Sequence, residues 1–154
     1  MSTTFDPAAF LDMETTEELI RRPPLPVGDY TAMVGEVVAK PWQGVKDTSK
    51  SGMKYEVPLK LQVPPALQSE LGLTQDTITL TDGIMLDLTE GGLLDYGIGK
   101  NGQLRRYREA LDMNKKGEVF SARKMQGRLL RVRLTHEIWQ NDIQERIGGV
   151  SKLS

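Results

Sequence analysis

The chain contains no cysteine, and His136 is its only histidine. Without cysteine it cannot form disulfides, thiolate zinc sites or iron–sulfur clusters, and it has no thiol nucleophile. A single histidine excludes catalytic histidine pairs and metal sites built from several histidines, so we expect a structural role for it. No serine lies in a recognisable nucleophile motif. These absences predict a protein that is not an enzyme and that uses no cofactor and no metal.

The chain also has few aromatic residues, 6% of the total, and no long apolar run. A helix that crosses a bilayer needs roughly 18 or more apolar residues in succession, so we expect no membrane contact. The first residues lack the basic and apolar regions of an export signal, which predicts a cytoplasmic protein. A length of 154 residues is natural for one domain with one core.

Basic residues are concentrated in residues 100–133, where eleven lysines and arginines accompany three acids. Residues 1–99 hold seven basic and fifteen acidic side chains. The formal net charge of −1 therefore conceals a basic segment on an otherwise acidic chain. Such a segment is either an ordinary solvated face or a surface for an anionic partner such as nucleic acid.

The composition of residues 1–26 predicts an N-terminal arm. The folded domain is predicted over residues 27–154. The arm is acidic at first and ends in a proline-containing stretch. Thr-Thr-Glu-Glu at residues 15–18 has the spacing of a capping box, which predicts a short helix that ends before Pro23. Because the alternating pattern of the core starts only at about Val27, we expect the arm to be dispensable for folding. The arm then becomes available to join copies of the chain into a homo-oligomer.

Two strands are predicted at the start of the domain. The first begins at Gly28, and Gly35 shifts the phase of its alternation as a bulge does. The second has the clearest pattern in the chain, with apolar side chains at every odd position of residues 53–63. Pro58 lies on its polar face, which indicates an edge or a bulge.

The remaining elements complete a recognisable order. A third strand is predicted over residues 77–88, with a short hairpin at residues 82–83 as the alternative. A glycine-rich loop then leads to a helix with Asn101 as its N-cap. A fourth strand covers residues 127–139, and a short fifth strand precedes the glycines at residues 148–149. The order β-β-β-α-β-β predicts an OB-fold, a mainly β, five-stranded Greek-key barrel whose usual ligands are oligonucleotides and oligosaccharides.

Four short stretches carry a resemblance to a known family. They are Gly-Asp-Tyr-Thr-Ala at residues 28–32, Gly-Met-Lys-Tyr-Glu-Val-Pro-Leu at 52–59, Leu-Arg-Arg-Tyr-Arg-Glu-Ala-Leu at 104–111 and Gly-Arg-Leu-Leu-Arg-Val at 127–132. Together they resemble the phage-encoded OB-fold proteins that bind single-stranded DNA or assist recombination. The resemblance implies single-stranded DNA as the partner and a role in phage replication or recombination in the cytoplasm of a bacterial host. Many such proteins end in an acidic tail, whereas the acidic segment here is N-terminal.

The candidate nucleic-acid contacts combine cations with aromatic rings, because a single strand is held by phosphate neutralisation and base stacking. The cations predicted to bind phosphates are Lys100, Arg105, Arg106, Arg123, Lys124, Arg128, Arg131 and Arg133. The aromatic residues predicted to stack with bases are Trp42, Tyr96, Phe120 and Trp139. About half of these rings are expected to serve structural packing instead.

Three alternatives remain open from the sequence. Residues 97–102 fit the spacing G-x-G-x-x-G, which favours at most one phosphate contact, since a dinucleotide fold also needs a parallel βαβ unit. Four carboxylates are predicted to be solvated turn residues, and the alternative is that they bind a hard cation. They are Asp82, Asp87, Glu90 and Asp95. The alternative to DNA binding is a structural protein of a phage virion, in which the arm clamps a neighbour and the opposite charges meet between subunits.

Overall fold

An open sheet of six antiparallel strands forms most of the structure, a computed structural model that describes residues 4–153. The strands are β1 (Gly28–Val34), β2 (Val38–Gln43), β3 (Ser51–Gln62), β4 (Thr77–Met85), β5 (Leu129–Trp139) and β6 (Asp142–Ser151). The helices are α1 (Pro7–Asp12), α2 (Pro65–Leu71), α3 (Gly102–Ala110) and a 3₁₀ helix (Ala122–Met125). The predicted mainly β class is confirmed.

The long strand β3 lies at the centre of the pairing. β4 pairs along one side of it, while β1 and β2 pair along successive parts of the other side. β1 then pairs with β5, and β5 with β6. Within residues 4–153, β4 pairs with β3 alone and β6 with β5 alone, so these pairs leave the sheet open instead of closing a barrel.

The predicted count of five strands is wrong, because the first predicted strand is divided into β1 and β2. The division covers residues 35–37, beside the glycine at which the alternation changes phase. Gly35 N donates to the carbonyl oxygen of Pro58 at 2.8 Å, and a Cβ on Gly35 would come within 3.1 Å of the proline ring. Since Pro58 has no N–H to donate, regular pairing with β3 stops at this point.

The core lies on the face that the alternation predicted. Val57, Leu59 and Leu61 of β3 are fully buried, and so are Leu130, Val132 and Leu134 of β5, which belong to the same core. The intervening arginines of β5 point outward. α3 closes one end of this core with Leu104, Tyr107 and Ala110. The period-two prediction is therefore confirmed for both strands.

Several strand boundaries differ from the prediction, and β5 begins at Leu129 instead of Gly127. β4 runs in unbroken register through Asp82 and Gly83 and ends at Met85, so the alternative hairpin at residues 82–83 is wrong. The last strand is long instead of short, because β6 continues through Gly148 and Gly149. It joins β5 through the two residues 140–141, which both have positive φ, as the tight turns of two-residue hairpins require.

The arm also differs from its prediction. Its helix is α1, where Asp6 accepts a hydrogen bond from Ala8 N at 3.1 Å, and the helix predicted after residue 15 is not formed. Leu25 is fully buried in the core, although the predicted arm includes it. Leu25 N donates to Glu145 at 2.9 Å, and His136 Nε2 donates to the carbonyl oxygen of Leu25 at 2.6 Å. The core thus begins before Val27.

None of the helices within residues 4–153 has the length and apolar character that crossing a membrane requires. Over the same residues, no three histidine or acidic side chains are grouped as they would be around a metal ion. The four carboxylates considered as cation ligands, Asp82, Asp87, Glu90 and Asp95, therefore do not form such a site in the structure.

Candidate nucleic-acid interface

Two adjoining cavities form one groove between α3 and the loops on either side of it. Their volumes are about 190 and 300 Å³, and both are lined by Tyr96, Arg108 and Asn114. We call this surface the helix–loop groove and define it by its cations and aromatic rings: Tyr96, Lys100, Arg105, Arg108, Lys115, Lys116 and Phe120. The groove places five cations and two aromatic rings along one surface, which the carboxylates of Asp95 and Glu118 also line.

Asn101 holds the glycine-rich loop against the start of α3. Its side-chain amide donates to the carbonyl oxygens of Asp87 and Asp95 at 2.9 and 3.0 Å, and it accepts from Asp87 N at 2.8 Å. Asn101 itself has a left-handed backbone, with φ of 51°, and its side chain makes no cap hydrogen bond. Asn101 thus occupies the predicted N-cap position, but its side chain does not make the hydrogen bond of a cap. The side chain fixes the backbone of the loop that carries Tyr96 and Lys100.

The glycine motif at residues 97–102 does not form a nucleotide site of the Rossmann type. All strand pairs within residues 4–153 are antiparallel, so the βαβ unit that such a site needs is not formed there. Gly97 N already donates to the carboxylate of Asp95 at 2.8 Å. Lys100 is exposed and charged, so it is the residue of this motif that can contact a phosphate.

The groove cations differ in how firmly they are held. Arg108 lies over the ring of Phe120 at 4.2 Å, and its Nε donates to Met113 O at 3.1 Å, so its position is fixed. Arg105 lies 3.9 Å from Glu109, but both side chains are more than half exposed, and such a pair contributes little. Within residues 4–153, Lys100 and Lys116 form no ion pair. These side chains can turn towards an incoming phosphate.

The aromatic residues of the groove offer different surfaces. Tyr96 is 78% exposed, so its ring can stack with a base. Phe120 is half-buried and packs against the core, and one face of its ring is covered by Arg108. Of the two, Tyr96 is the free stacking surface, and Phe120 positions a cation.

A further cavity, of about 700 Å³, lies beside the division between β1 and β2. We call it the strand-break cavity, and it is lined by Glu36, Val37, Val38, Ala39, Tyr55, Ser121, Ala122, Arg123 and Gln126. Burial raises the pKa of Tyr55, and the nearby Tyr96 hydroxyl raises it further. Because Phe120 lines the groove and the next residue, Ser121, lines this cavity, the two surfaces are neighbours.

The other predicted cations lie on separate surfaces. Arg106 lines a cavity of about 210 Å³ between α3 and β6, on another side of the helix from Arg105. Lys124 donates to Val119 O at 2.9 Å, and Arg128 is exposed just before β5. Arg131 and Arg133 point out from β5, where Arg131 donates to Leu153 O at 2.8 Å and Arg133 lies 3.6 Å from Asp29. The basic segment is therefore divided over several faces.

The two tryptophans do not join the groove. Trp42 lies on β2, half-buried against Gly52, where an added Cβ would approach its indole nitrogen to 2.8 Å. Trp139 ends β5 at the tip of the hairpin and is 58% exposed. Of the predicted residues, the structure thus brings together Lys100, Arg105, Tyr96 and Phe120 in the groove, with Arg123 in the neighbouring cavity.

Sequence reasoning missed several residues of this surface. The predicted phosphate contacts do not include Arg108, and Tyr55 was predicted only as one of the alternating apolar side chains of residues 53–63. A signal for Arg108 was present, because residues three apart on a helix lie on the same side, which places it beside Arg105. Lys115 and Lys116 belong to the basic segment and precede a glycine turn at Gly117, which exposes both of them.

Tyr107 and Asp82 form a polar contact under α3. The buried Tyr107 hydroxyl donates to the carboxylate of Asp82, and burial, followed by the charge of that carboxylate, raises the tyrosine pKa. Burial also raises the pKa of Asp82 above its usual value, against the lowering effect of hydrogen bonds from Tyr107, Gln103 and the Gly83 backbone. The charged form of Asp82 is therefore less stable in the folded protein than in the unfolded chain.

This contact predicts a pH-dependent effect of Asp82→Asn. A raised folded-state pKa means that Asp82 contributes stability below its unfolded pKa, near 4, and that this contribution is lost as the pH rises through its folded pKa. Asparagine keeps an acceptor for Tyr107 but carries no charge. We expect the variant to gain stability relative to the wild type as the pH rises from about 3 to 7. Urea unfolding across this range measures it, and a constant difference would contradict the assignment.

In comparisons with known proteins, the chain matches no family model and no curated protein sequence.

Proposed function

We propose that this protein binds single-stranded DNA with little regard to sequence. The observation that carries the proposal is the helix–loop groove, in which two adjoining cavities gather five cations around the exposed ring of Tyr96. Lysine and arginine neutralise phosphates, and this contribution is independent of sequence. An aromatic ring stacks with any base, because every base has a π face. The groove therefore combines the two interactions on which such binding depends.

The position of Tyr96 favours single strands over duplexes. Its exposed ring belongs to a loop that Asn101 ties to α3, so it is presented in a fixed place. A base can stack on it only after leaving its neighbours, which costs little in a single strand and a few kcal/mol in a duplex. The same cations attract either nucleic acid, so the discrimination comes from the ring.

The pairing of the strands supports our proposal that the fold is an open variant of the OB-fold. β1 and β2 together occupy the place of one bent first strand, since both pair with the same side of β3. β1 also pairs with β5, and α3 lies between β4 and β5 in the chain. Counted in this way, and with the short helix α2 taken as part of the connection between β3 and β4, the order is the β-β-β-α-β-β of that fold. With the resemblance of the four stretches to phage proteins, we extend the proposal to a role in phage DNA replication or recombination.

A titration with labelled single and double strands at several salt concentrations tests the proposal. The affinity for single strands should fall as salt rises, with a slope of about 0.7 per phosphate contact, or about 3.5 if all five groove cations contact phosphates. Duplexes of the same length should bind more weakly. If single strands show no salt-dependent affinity, the proposal is wrong.

A second candidate function is supported by the arm. Its large apolar side chains are exposed, including Phe5 at 68%, Leu11 at 87% and Leu19 at 98%. Exposed apolar groups in such number are a common mark of a protein partner. We therefore keep a structural role in a phage virion as the alternative, with the arm of one copy clamping another. A particle mass in solution that falls to that of one chain when residues 2–20 are deleted would support it.

A further inference from the structure

The strand-break cavity has the size and lining of a ligand site. Its volume of about 700 Å³ lies within the range of roughly 300–1,000 Å³ that is usual for small-molecule sites. Val37, Ala39 and Ala122 give it apolar walls, and Tyr55 adds an aromatic ring. Arg123 forms no ion pair within residues 4–153 and stands at the same cavity. Glu36 also lines the cavity, so a ligand with a planar apolar group and an anion fits if its anion lies at Arg123.

The edge of β2 adds hydrogen-bonding groups to the cavity. Gly44 N donates to Lys50 O at 2.8 Å, so in this register the even-numbered residues of β2 bond to β3 and Ala39 faces away. Over the described residues 4–153, β2 pairs with β3 alone, which leaves the N–H and C=O of Ala39 on an open edge. Pro41 occupies another outward position, where its missing N–H removes no bond of the ladder.

Tyr55 is placed beside this edge. It is paired with Ala39 across the two strands, so their side chains lie on the same face of the sheet and close together. Its ring is half-buried, and the Tyr96 hydroxyl lies near enough to affect its pKa. The groove and the cavity meet at the adjacent residues Phe120 and Ser121, so a strand that stacks one base on Tyr96 can continue along this surface to Tyr55.

We propose that the strand-break cavity holds one unstacked base of the bound strand, stacked on Tyr55 and hydrogen-bonded by the backbone of Ala39. Arg123 neutralises a phosphate beside that base. A peptide unit offers both a donor and an acceptor, so it can bond to the edge of any base, as sequence-tolerant binding requires. This inference rests on the proposed function and assigns a second, base-binding part to the same surface.

Two oligonucleotides separate base contacts from phosphate contacts. One is an oligothymidylate of about fifteen nucleotides, near the upper site size of one such domain, and the other is an abasic strand of the same length. Fluorescence anisotropy gives the affinity of each. The wild type should bind the thymidylate at least about tenfold more tightly, because stacking on one aromatic ring is worth about that factor.

Variants at Ala39 test the cavity itself. Ala39→Leu covers the ring of Tyr55, and Ala39→Pro removes only the outward N–H. Both should lose affinity for the thymidylate, about tenfold for the leucine variant, while affinity for the abasic strand and the salt slope stay unchanged. Ala66→Leu, the same change at an exposed position of α2, is the matched control and should bind as the wild type does. Circular dichroism and melting curves establish that each variant is folded.

The outcomes distinguish this inference from the function on which it rests. If folded Ala39 variants bind the thymidylate as tightly as the wild type, the base site is wrong and single-strand binding stands. If the wild type binds both strands equally and with the expected salt dependence, the base site and the stacking on Tyr96 are both wrong, and only binding through phosphates stands. If the wild type binds neither strand, the proposed function and the base site fall together.

Discussion

Replacing Lys100, Arg105 and Lys116 together by alanine is expected to weaken single-strand binding about 100-fold at 0.1 M salt. Each lost phosphate contact lowers the salt slope by about 0.7, so three contacts lower it by about 2, which is two decades of affinity between 0.1 and 1 M salt. The three side chains are exposed. Because Arg105 has only a weak pair with Glu109, the melting temperature should scarcely change. Anisotropy titrations at several salt concentrations measure both the affinity and the slope.

A matched variant on the other face of the sheet separates position from net charge. Lys60, Arg131 and Arg133 also lie exposed, on the outward face of β3 and β5, and replacing them by alanine removes the same charge. This variant should keep most of the affinity and the full salt slope. If it loses binding while the groove variant keeps it, the strand runs over the outer face of the sheet and the groove is not the site.

The groove could be predicted from the sequence only in part, because neighbours in a basic segment do not share a surface. Arg105 and Arg106 are adjacent in the chain but about 100° apart around α3, and they line different cavities. Charge counts locate the segment and give no direction for its side chains. Arg131 and Arg133 show the opposite case, because alternation along β5 correctly predicted that both point outward. Because they point outward from β5, Arg131 and Arg133 lie away from the groove. The number of charges in the segment did not indicate this.

The fold was predictable where burial on one face dictates the pattern. β3 buries Val57, Leu59 and Leu61, so its alternation is visible in the sequence and its face was assigned correctly. The division of the first strand depends on the contact between Gly35 and Pro58, which are distant in the chain. The glycine marked the position of an irregularity, but only the tertiary contact decides that it separates two strands.

Asn101 illustrates the same limit at a single residue. Its side chain has the chemistry of an N-cap, and the sequence places it just before a helix. In the folded chain it bonds instead to Asp87 and to the carbonyl oxygen of Asp95, which the loop brings next to it. Local propensity predicted that the side chain of Asn101 forms hydrogen bonds, but it did not identify the groups to which it bonds.

Leu25→Ala is expected to lower the free energy of unfolding by about 2–5 kcal/mol, the usual cost of removing a fully buried leucine side chain. Deleting residues 2–20 should change it by less than about 0.5 kcal/mol, because the large apolar side chains of that segment are exposed. The contrast follows from the contacts of the arm. They begin at Arg21 and Arg22, which pair with Asp142 and Glu145 of β6, and continue to Leu25 in the core. Urea unfolding with an unchanged slope measures both effects.

The truncation and the substitution together locate the beginning of the folded domain. A domain of this size has a total stability of about 5–15 kcal/mol, so the loss at Leu25 should be visible as a much earlier midpoint. If Leu25→Ala leaves the midpoint unchanged, the core is complete without the arm, and folding starts near Val27 as the alternating pattern predicted. If the deletion of residues 2–20 is as costly as the substitution, the arm packs on the domain in solution. The residues before Arg21 would then belong to the fold as Leu25 does.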